Sequence, residues 1–432
     1  MRSALVLGAS MLLAAGGMTA CRRTSSTVGR LLHTFPQLGT RVFVLAPHPD
    51  DEVLGAAGLI DAVRRRGLDM HVVVATDGAA GPDKLGLGKD LAREREAETR
   101  RALAALGVPL ASVSFLGVPD GQLTRLWERG WGPGTSGERK SADDVLGALD
   151  AAFVAGTPDA VVLPMPLDAH PDHRALHHFA VLALLGARPE VRPPEVLGYL
   201  IHGSRSWERR PVDLGAAEPP VEGCAGALFP WTGLLLDPAE VARKASLIQE
   251  YRTQTGHSTR LLRYARRTES FARGQIIVGP RAMSSTRPGL AATRDGIVIR
   301  IPRARCGIDP AAGDGLRLRF PRRPDGIDER LVRLHTGGAP IVLGGRAGHP
   351  TELATDVRVA VSGDSVRLQL AAETVAGAPG AFLEVLPARG SDVGPAWGLR
   401  WAGMRGAAAV GGAAPDGSSA DEALPAAIAG SR

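Results

Sequence analysis

The alternation of apolar and polar positions along this chain changes rhythm near Val278, and that change divides it. From Thr40 onward, short runs that are apolar throughout alternate with longer stretches carrying apolar residues at helical spacing. "RVFVLAP", "MHVVVATDG", "SVSFLG", "DAVVLPM" and "EVLGYLIHG" predict buried strands. "EVLGAAGLIDAVRRRG", "LAREREAETRRALAALG", "ADDVLGALDAAFVAG", "PDHRALHHFAVLALLG" and "PAEVARKASLIQEYRTQ" predict helices, the first two closing on Gly67 and Gly107. Strands apolar on both faces and alternating with helices imply a mostly parallel, Rossmann-like sheet covered on both sides. Ligands of such folds bind beyond the carboxyl ends of the strands. No GxGxxG follows the first strand, so a dinucleotide site is not supported.

Beyond Val278 the period shortens to two. "GIVIRIP", "GLRLRF", "DVRVAVSGDSVRLQL" and "AFLEVLP" alternate apolar with polar residues, the mark of half-exposed antiparallel strands. "SGDS" reads as a hairpin turn. The pattern predicts an α/β unit over 40–280, a turn-rich linker over 281–294, a small β-sandwich over 295–404 and a disordered Ala/Gly/Ser/Pro-rich tail over 405–432.

The 432 residues suit two or three units at roughly 100–200 residues per domain. The 44% hydrophobic content is that of a chain that buries a core. The net charge of +6 comes from scattered arginines with few aromatics beside them, which argues against nucleic-acid binding. Residues 1–21 read as an export signal: Met1-Arg2, then an apolar run from Ala4 to Gly17 shorter than the ~18 residues a spanning helix needs. "MTAC" is similar to a bacterial lipobox, with Cys21 as the lipidated residue and 22–39 as a tether; plain secretory cleavage is the alternative. The expected location is therefore the outside of a bacterial membrane, lipid-anchored, or else the periplasm or the medium. Cys224 and Cys306 are the other cysteines, and pairing between them is left open.

Two histidine-carboxylate clusters follow two of the predicted strands. The first is His48-Pro49-Asp50-Asp51-Glu52 and the second His170-Pro171-Asp172-His173. If the strands neighbour each other, the clusters converge. Two neutral imidazoles and one carboxylate make a hydrolytic zinc site with a coordination position left for water. Two adjacent aspartates can divide the work, one binding metal and the other free as a base. Singly, each residue also suits a helix start or a turn. Glu52 suits a helix-opening acid beside the dipole. His177 is one turn from His173 but is expected to pack or face solvent, and Asp77 sits at a pocket rim or a turn. Trp207 and Trp231 suit core packing better than stacking on a sugar.

"APHPDDE" followed downstream by "HPDH" resembles the LmbE-like, or PIG-L, zinc-dependent N-acetylglucosaminyl deacetylases. "AREREAETRRALAALGV", "FLGVPDGQL" and "KASLIQEYRTQ" agree, so the resemblance covers about Val42 to Gln254. It implies a Rossmann-like fold, His48, Asp51 and His173 as metal ligands, Asp50 as general base and His170 as the residue that stabilises the oxyanion. Asp172 would orient a neighbouring imidazole. Arg93 and Asp120 lie near family pocket positions, although Arg93 could pair with Glu96 and Asp120 fits a turn. The expected cofactor is Zn²⁺, with Fe²⁺ also accommodated by the donor set. The implied function is an exported hydrolase that removes the N-acetyl group of a GlcNAc-type sugar or glycoconjugate. The alternatives are an amidase on another amide, or a non-catalytic surface lipoprotein that binds glycan through its β-domain.

Overall fold

The computed structural model describes residues 38–401 except 133–139, 188–192, 204, 220, 222, 257, 274–276, 285–286, 304–306, 323–325, 335–338 and 389–393. The export segment with Cys21, nearly all of the tether and the expected tail lie outside the described residues, as does Cys306 with its pairing to Cys224.

The α/β unit is built on a seven-stranded sheet of order β3-β2-β1-β4-β5-β7-β6. Its strands are β1 (Arg41–Ala46), β2 (Asp69–Thr76), β3 (Val113–Val118), β4 (Ala160–Pro164), β5 (Glu195–Tyr199), β6 (Trp231–Leu235) and β7 (Thr268–Arg273). The first five are parallel, while β7 and β6 run antiparallel at one edge. The helices are α1 (Asp51–Arg65), α2 (Leu91–Ala105), α3 (Leu123–Arg129), α4 (Ala142–Gly156), α5 (Pro171–Ala187), the short α6 (Arg205–Glu208) and α7 (Gly223–Leu228), α8 (Pro238–Gln249) and α9 (Arg252–Thr255). Successive residues of β1 serve opposite cores, as the strand's pleat requires. Val42, Val44 and Ala46 pack with α1, α2 and α8, whereas Phe43 and Leu45 pack with α3, α4 and α5. The helices thus cover both faces. Because β1 lies between β2 and β4, the chain leaves β1 to one side and returns to β4 on the other. A crevice opens between two such strands, and both histidine clusters follow them.

Two antiparallel sheets form the C-terminal unit. One has the order β15-β16-β10-β9, and the other the order β14-β13-β12-β11-β17-β18-β8. Here β8 is Ile277–Val278, β9 Gly289–Thr293, β10 Gly296–Pro302, β11 Gly315–Arg322, β12 Gly326–Arg333, β13 Ile341–Arg346, β14 His349–Leu353, β15 Val357–Val361, β16 Ser365–Ala371, β17 Gly380–Leu386 and β18 Ala396–Arg400. Gly289–Thr293 falls inside the expected 281–294 linker but is a paired strand, and Ile277–Val278 joins the second sheet through β18, ahead of the expected start at 295. The hairpin between β15 and β16 turns at Ser362–Ser365, as the sequence predicted.

One strand departs from the expected half-exposure. In β11 the polar alternates Arg317 and Arg319 are buried along with Leu316 and Leu318. Arg317 makes a bidentate pair with Glu128 of α3 and a further bond to Glu384 of β17. Arg319 pairs with Glu329 and lies 4.0 Å over the ring of Trp127. The alternation is real, but its polar face meets α3 and α5 instead of water. This contact explains why α5 is apolar nearly all round: it lies between the parallel sheet and the β-domain, in one continuous core.

Candidate metal centre and active site

The end of β1 delivers His48, and the start of α1 delivers Asp51 and Glu52. Asp50 occupies the cap position between them with φ 137 and ψ −27, one of two non-glycine residues of positive φ among those described. Such backbone costs of the order of 1–3 kcal/mol and persists only where its surroundings enforce it. The loop after β4 delivers Asp168 and His170, and the first turn of α5 delivers Asp172 and His173. The turn after β3 adds Asp120.

These side chains converge. The ligating atoms of His48, His170 and His173 all lie within 4.8 Å of one another, and those of His48, Asp120 and Asp172 form a second such group. Asp51 Oδ2 is 3.1 Å from both His48 Nδ1 and His173 Nε2. His48 Nε2 is 3.2 Å from Asp120 Oδ1 and 3.6 Å from Asp172 Oδ2. Asp172 is fixed by the Gly121 and Thr124 amides at 2.7 and 3.4 Å. Asp120 therefore sits against His48 as well as on the pocket wall.

Asp168, not singled out from the sequence, is the residue that orients His173. Its Oδ2 lies 3.1 Å from His173 Nδ1 and accepts from the Ile201 and His202 amides, while Oδ1 accepts from the His170 amide at 2.9 Å. With Nδ1 so engaged, His173 Nε2 faces Asp51. His202, given no role in the sequence reading, has its ring 5.3 Å from that of His170 and 4.9 Å from that of His173. Glu208 holds its Nδ1 at 3.1 Å. The position of Asp168 two residues before "HPDH" was the available signal; His202 had none, because a 32-residue chain separation hides the adjacency of β4 and β5.

The donors fit a cation. His48 Nε2 and His173 Nε2 are buried without a hydrogen-bond partner among the described residues, although carboxylate oxygens lie close by. Imidazole nitrogens and carboxylate oxygens are the donors zinc takes. The electrostatics agree. Burial alone would lower His48, but Asp120, Asp172 and Asp51 raise it well above its ordinary value. Burial likewise opposes protonation of His173, yet Asp168 and Asp51 raise it to about 9. The excess of buried carboxylate thus draws protons onto the very imidazoles that a cation would use.

Asp50 behaves differently from Asp51. Burial, reinforced by the neighbouring charges of Asp51 and Glu52, pushes the Asp50 carboxyl well above the usual range. Burial would also raise Asp51, but His173 and His48 hold it well below. His170 is lowered to about 4 by burial and by the adjacent imidazoles. The Asp172 amide donates to His170 Nδ1 at 3.3 Å, so the neutral ring carries its proton on Nε2.

The cluster opens into a pocket walled by Leu54, Gly81, Pro82, Lys84, Arg95, Gln254, Ser258, Arg260, Arg263 and Tyr264. Arg93 is not in it. Its side chain is 81% exposed and pairs with Asp90 on the surface of α2. Arg95, two positions on and about 200° round the helix, faces inward instead. It is buried, donates through Nη1 to Gly78 O, and leaves Nε and Nη2 without hydrogen bonds among the described residues. Gly78 beside it has φ 66, a backbone that suits glycine, and a Cβ there would stand 2.9 Å from Pro49 Cδ. Asp77 makes the turn, accepting from Ala79 and Asp120 amides. His177 packs with Nδ1 2.8 Å from Pro164 O. Trp207 is buried with Nε1 on Ile201 O, and Trp231 packs against the core; neither lines the pocket. Glu52, expected as a helix-opening acid, is in the first turn but fully buried, and Tyr251 donates to it. Burial raises it to about 7.

Comparison with known proteins places this site. The diacetylchitobiose deacetylase of Thermococcus kodakarensis is 30% identical over 138 residues, 31% of this chain and 45% of that enzyme, so the chain spans less than half of its relative's length. Among solved structures, the N,N'-diacetylchitobiose deacetylase of Pyrococcus horikoshii, in complex with its inhibitor, is 22% identical with a TM-score of 0.36, covering 52% of this chain and 73% of that one. The 4-carboxy-2-hydroxymuconate hydratase of Pseudomonas putida is 19% identical with a TM-score of 0.36, covering 56% and 98%. The profile of the GlcNAc-PI de-N-acetylase family, PIG-L, matches residues 43–184, the stretch that supplies His48, Asp50, Asp51, Asp120, Asp168, His170, Asp172 and His173. The match to the PIG-L profile thus takes in the whole candidate site within residues 43–184.

Proposed function

We propose that the protein is a metal-dependent hydrolase that removes the N-acetyl group from a GlcNAc-type sugar or glycoconjugate. The observation that carries this reading is the separation of two adjacent aspartates. Asp51 is drawn to the imidazoles of His48 and His173, whereas Asp50 is held apart on the pocket wall with a raised pKa. The family match supports deacetylation, and the donor set supports a bound cation.

His48, Asp51 and His173 would hold the metal, with Zn²⁺ the proposed ion. When bound, it supplies Lewis acidity and a water whose pKa falls to about 7. Asp50 takes the proton from the attacking water and returns it to the departing amine, a task suited to a carboxyl held above its usual range. His170 donates from Nε2–H to the oxyanion. Loss of one such donor typically costs ~100- to 1000-fold in turnover. Asp168 keeps His173 in the tautomer that presents Nε2. Asp120 and Arg95 contact substrate from the wall. The signal segment and Cys21 support an exported, lipid-anchored location, and metabolic labelling with a fatty acid tests it by comparing Cys21→Ala with the native chain.

The functional test is acetate release from N-acetylglucosaminides, diacetylchitobiose among them, with and without chelator, in the native protein and in Asp50→Asn. Activity that is lost on chelation, regained with Zn²⁺ and lost in Asp50→Asn is expected. Hydrolysis only of non-sugar amides would move the substrate assignment, and full activity in a His48→Ala, Asp51→Ala double variant would end the metal reading.

A further inference from the structure

We infer that Glu52 and Tyr251 form a positioning pair that locks Asp50 in its positive-φ backbone, and so holds it against the pocket. The inference rests on the function proposed above, in which Asp50 moves the proton.

The strain at Asp50 needs a cause. A helix-capping aspartate of ordinary geometry has extended backbone and a side-chain oxygen on the amides of the first turn. Asp50 has neither: φ is 137, and its side chain makes no capping bond. Its peptide groups are held from both directions. The Asp50 carbonyl accepts from the Val53 and Leu54 amides at 3.0 and 2.9 Å, which fixes it to the opening turn of α1. The Asp50 amide donates to Glu52 Oε2 at 3.2 Å. The other oxygen of that carboxylate, Oε1, accepts from the Tyr251 hydroxyl. Rotation of φ would carry the amide away from Glu52 and turn the Cβ of Asp50 to a different side of the chain.

The pair is built for this task and not for the surface. A carboxylate that merely complemented the helix dipole would stay in water, where it costs nothing to keep ionised. Glu52 is 0% exposed and Tyr251 1% exposed. Burying a carboxylate is unfavourable unless its oxygens are bonded, and the two groups bonded here are the strained amide and the tyrosine hydroxyl. Tyr251 is itself anchored, since it lies at the junction of α8 and α9 with its carbonyl accepting from Thr255. The segment "KASLIQEYRTQ" lies some two hundred residues after "HPDDE" and reaches back to hold it. The pair also completes the division of labour between the aspartates: the imidazoles fix Asp51, and Glu52 with Tyr251 fixes Asp50.

The test uses the full chain. Tyr251→Phe removes only the hydroxyl. Its kcat for N-acetylglucosaminide hydrolysis should fall by roughly 10- to 100-fold, the scale for displacing a catalytic group by about 1 Å, with KM and bound metal little changed, the protein fully folded at the assay temperature, and the melting temperature lowered only by the loss of one buried hydrogen bond. A crystal structure of that variant should show Asp50 displaced from its native φ. Glu52→Gln keeps a carbonyl oxygen for the Asp50 amide, and its kcat should lie between those of the native protein and Glu52→Ala. Native kcat with native Asp50 geometry in Tyr251→Phe overturns the inference. So does a fall in kcat matched by equal loss of bound metal or of folded protein in both Tyr251→Phe and Glu52→Gln, which would make the pair structural only. If the native protein releases no acetate from any N-acetyl sugar, the functional reading fails, and the φ of Asp50 in the variant crystal still decides the positioning.

Discussion

Asp168 is the residue on which stability and metal affinity can be separated most cleanly, through Asp168→Asn. The side chain is fully buried, and its two oxygens face four donors. Oδ2 meets His173 Nδ1 and the amides of Ile201 and His202, each at 3.1 Å, and Oδ1 meets the His170 amide at 2.9 Å. An asparagine of the same shape has one acceptor oxygen. Its better orientation keeps that oxygen on the three-donor side and turns the NH₂ group against the His170 amide, leaving two donors face to face. A buried hydrogen bond to a charged group contributes ~1.5–3 kcal/mol, and an orphaned buried donor costs a further ~1–3 kcal/mol. We expect a loss of about 3 kcal/mol in urea unfolding of the chelator-treated protein. Removing the negative charge behind His173 also weakens the imidazole as a ligand, and such outer partners are worth ~10- to 100-fold in metal affinity. A competition titration of Zn²⁺ against a fluorescent chelator measures that separately. A stability change below about 0.5 kcal/mol together with native metal affinity would refute both the geometry and the role assigned to it.

Other consequences follow from neighbouring groups. His173 has its folded pKa raised to about 9 from an ordinary 6.5, so the stability it confers on metal-free protein is complete below about 6.5 and is lost as pH rises through 9. At ~1.4 kcal/mol per unit this amounts to roughly 3 kcal/mol, visible in urea midpoints between pH 6 and 10. Over the same range metal affinity should rise, since proton and cation compete for Nε2. Lys244→Met leaves Glu269 buried without its 2.7 Å partner, and a cost of ~3–5 kcal/mol in unfolding is expected, with Glu269→Gln in the same background recovering part of it. Arg95→Ala should raise KM at least ~10-fold, as loss of a buried charged donor does, while Arg93→Ala on the solvent face of α2 leaves KM and kcat at native values in the same steady-state assay.

The sequence was legible where one period dominated. Five strands and five helices of the α/β unit could be read from apolar runs and helical spacing, and so could the two clusters at the ends of β1 and β4; of the strands expected to be buried, β3 is instead a partly exposed strand at the sheet edge. What lay beyond reach had particular causes. Arg93 and Arg95 share one helix and one chemistry, and only the helix phase, set by packing of α2, sends one outward and the other into the pocket. Asp168 and His202 belong to loops after different strands, and their adjacency comes from the parallel register of β4 with β5. The antiparallel edge of β7 and β6 is short and mixed in polarity, so neither period marks it. In β11, "GLRLRF" has the alternation of a half-exposed strand, which is what a strand facing an ionic interface also shows. A two-residue period reports that the two faces differ; it does not report what each face meets.

That ambiguity bears on what the β-domain does. A module that bound glycan independently would be joined by a flexible linker and would keep its polar faces in water. Here the expected linker contributes β9 to one sheet, β8 extends the other, and Arg317 and Arg319 are buried against α3 and α5. Three carboxylates, on Glu128, Glu329 and Glu384, are arranged around these two guanidinium groups. Glu128 belongs to α3, which begins right after the turn that carries Asp120 and whose Thr124 amide bonds Asp172. Helix α5, packed on the same strands, carries Asp172 and His173 in its first turn. The β-domain thus braces the two helices whose N-terminal ends bring three of the candidate site's side chains to His48. In this arrangement it buttresses the candidate site, and the apolar girth of α5 is the sequence trace of that packing.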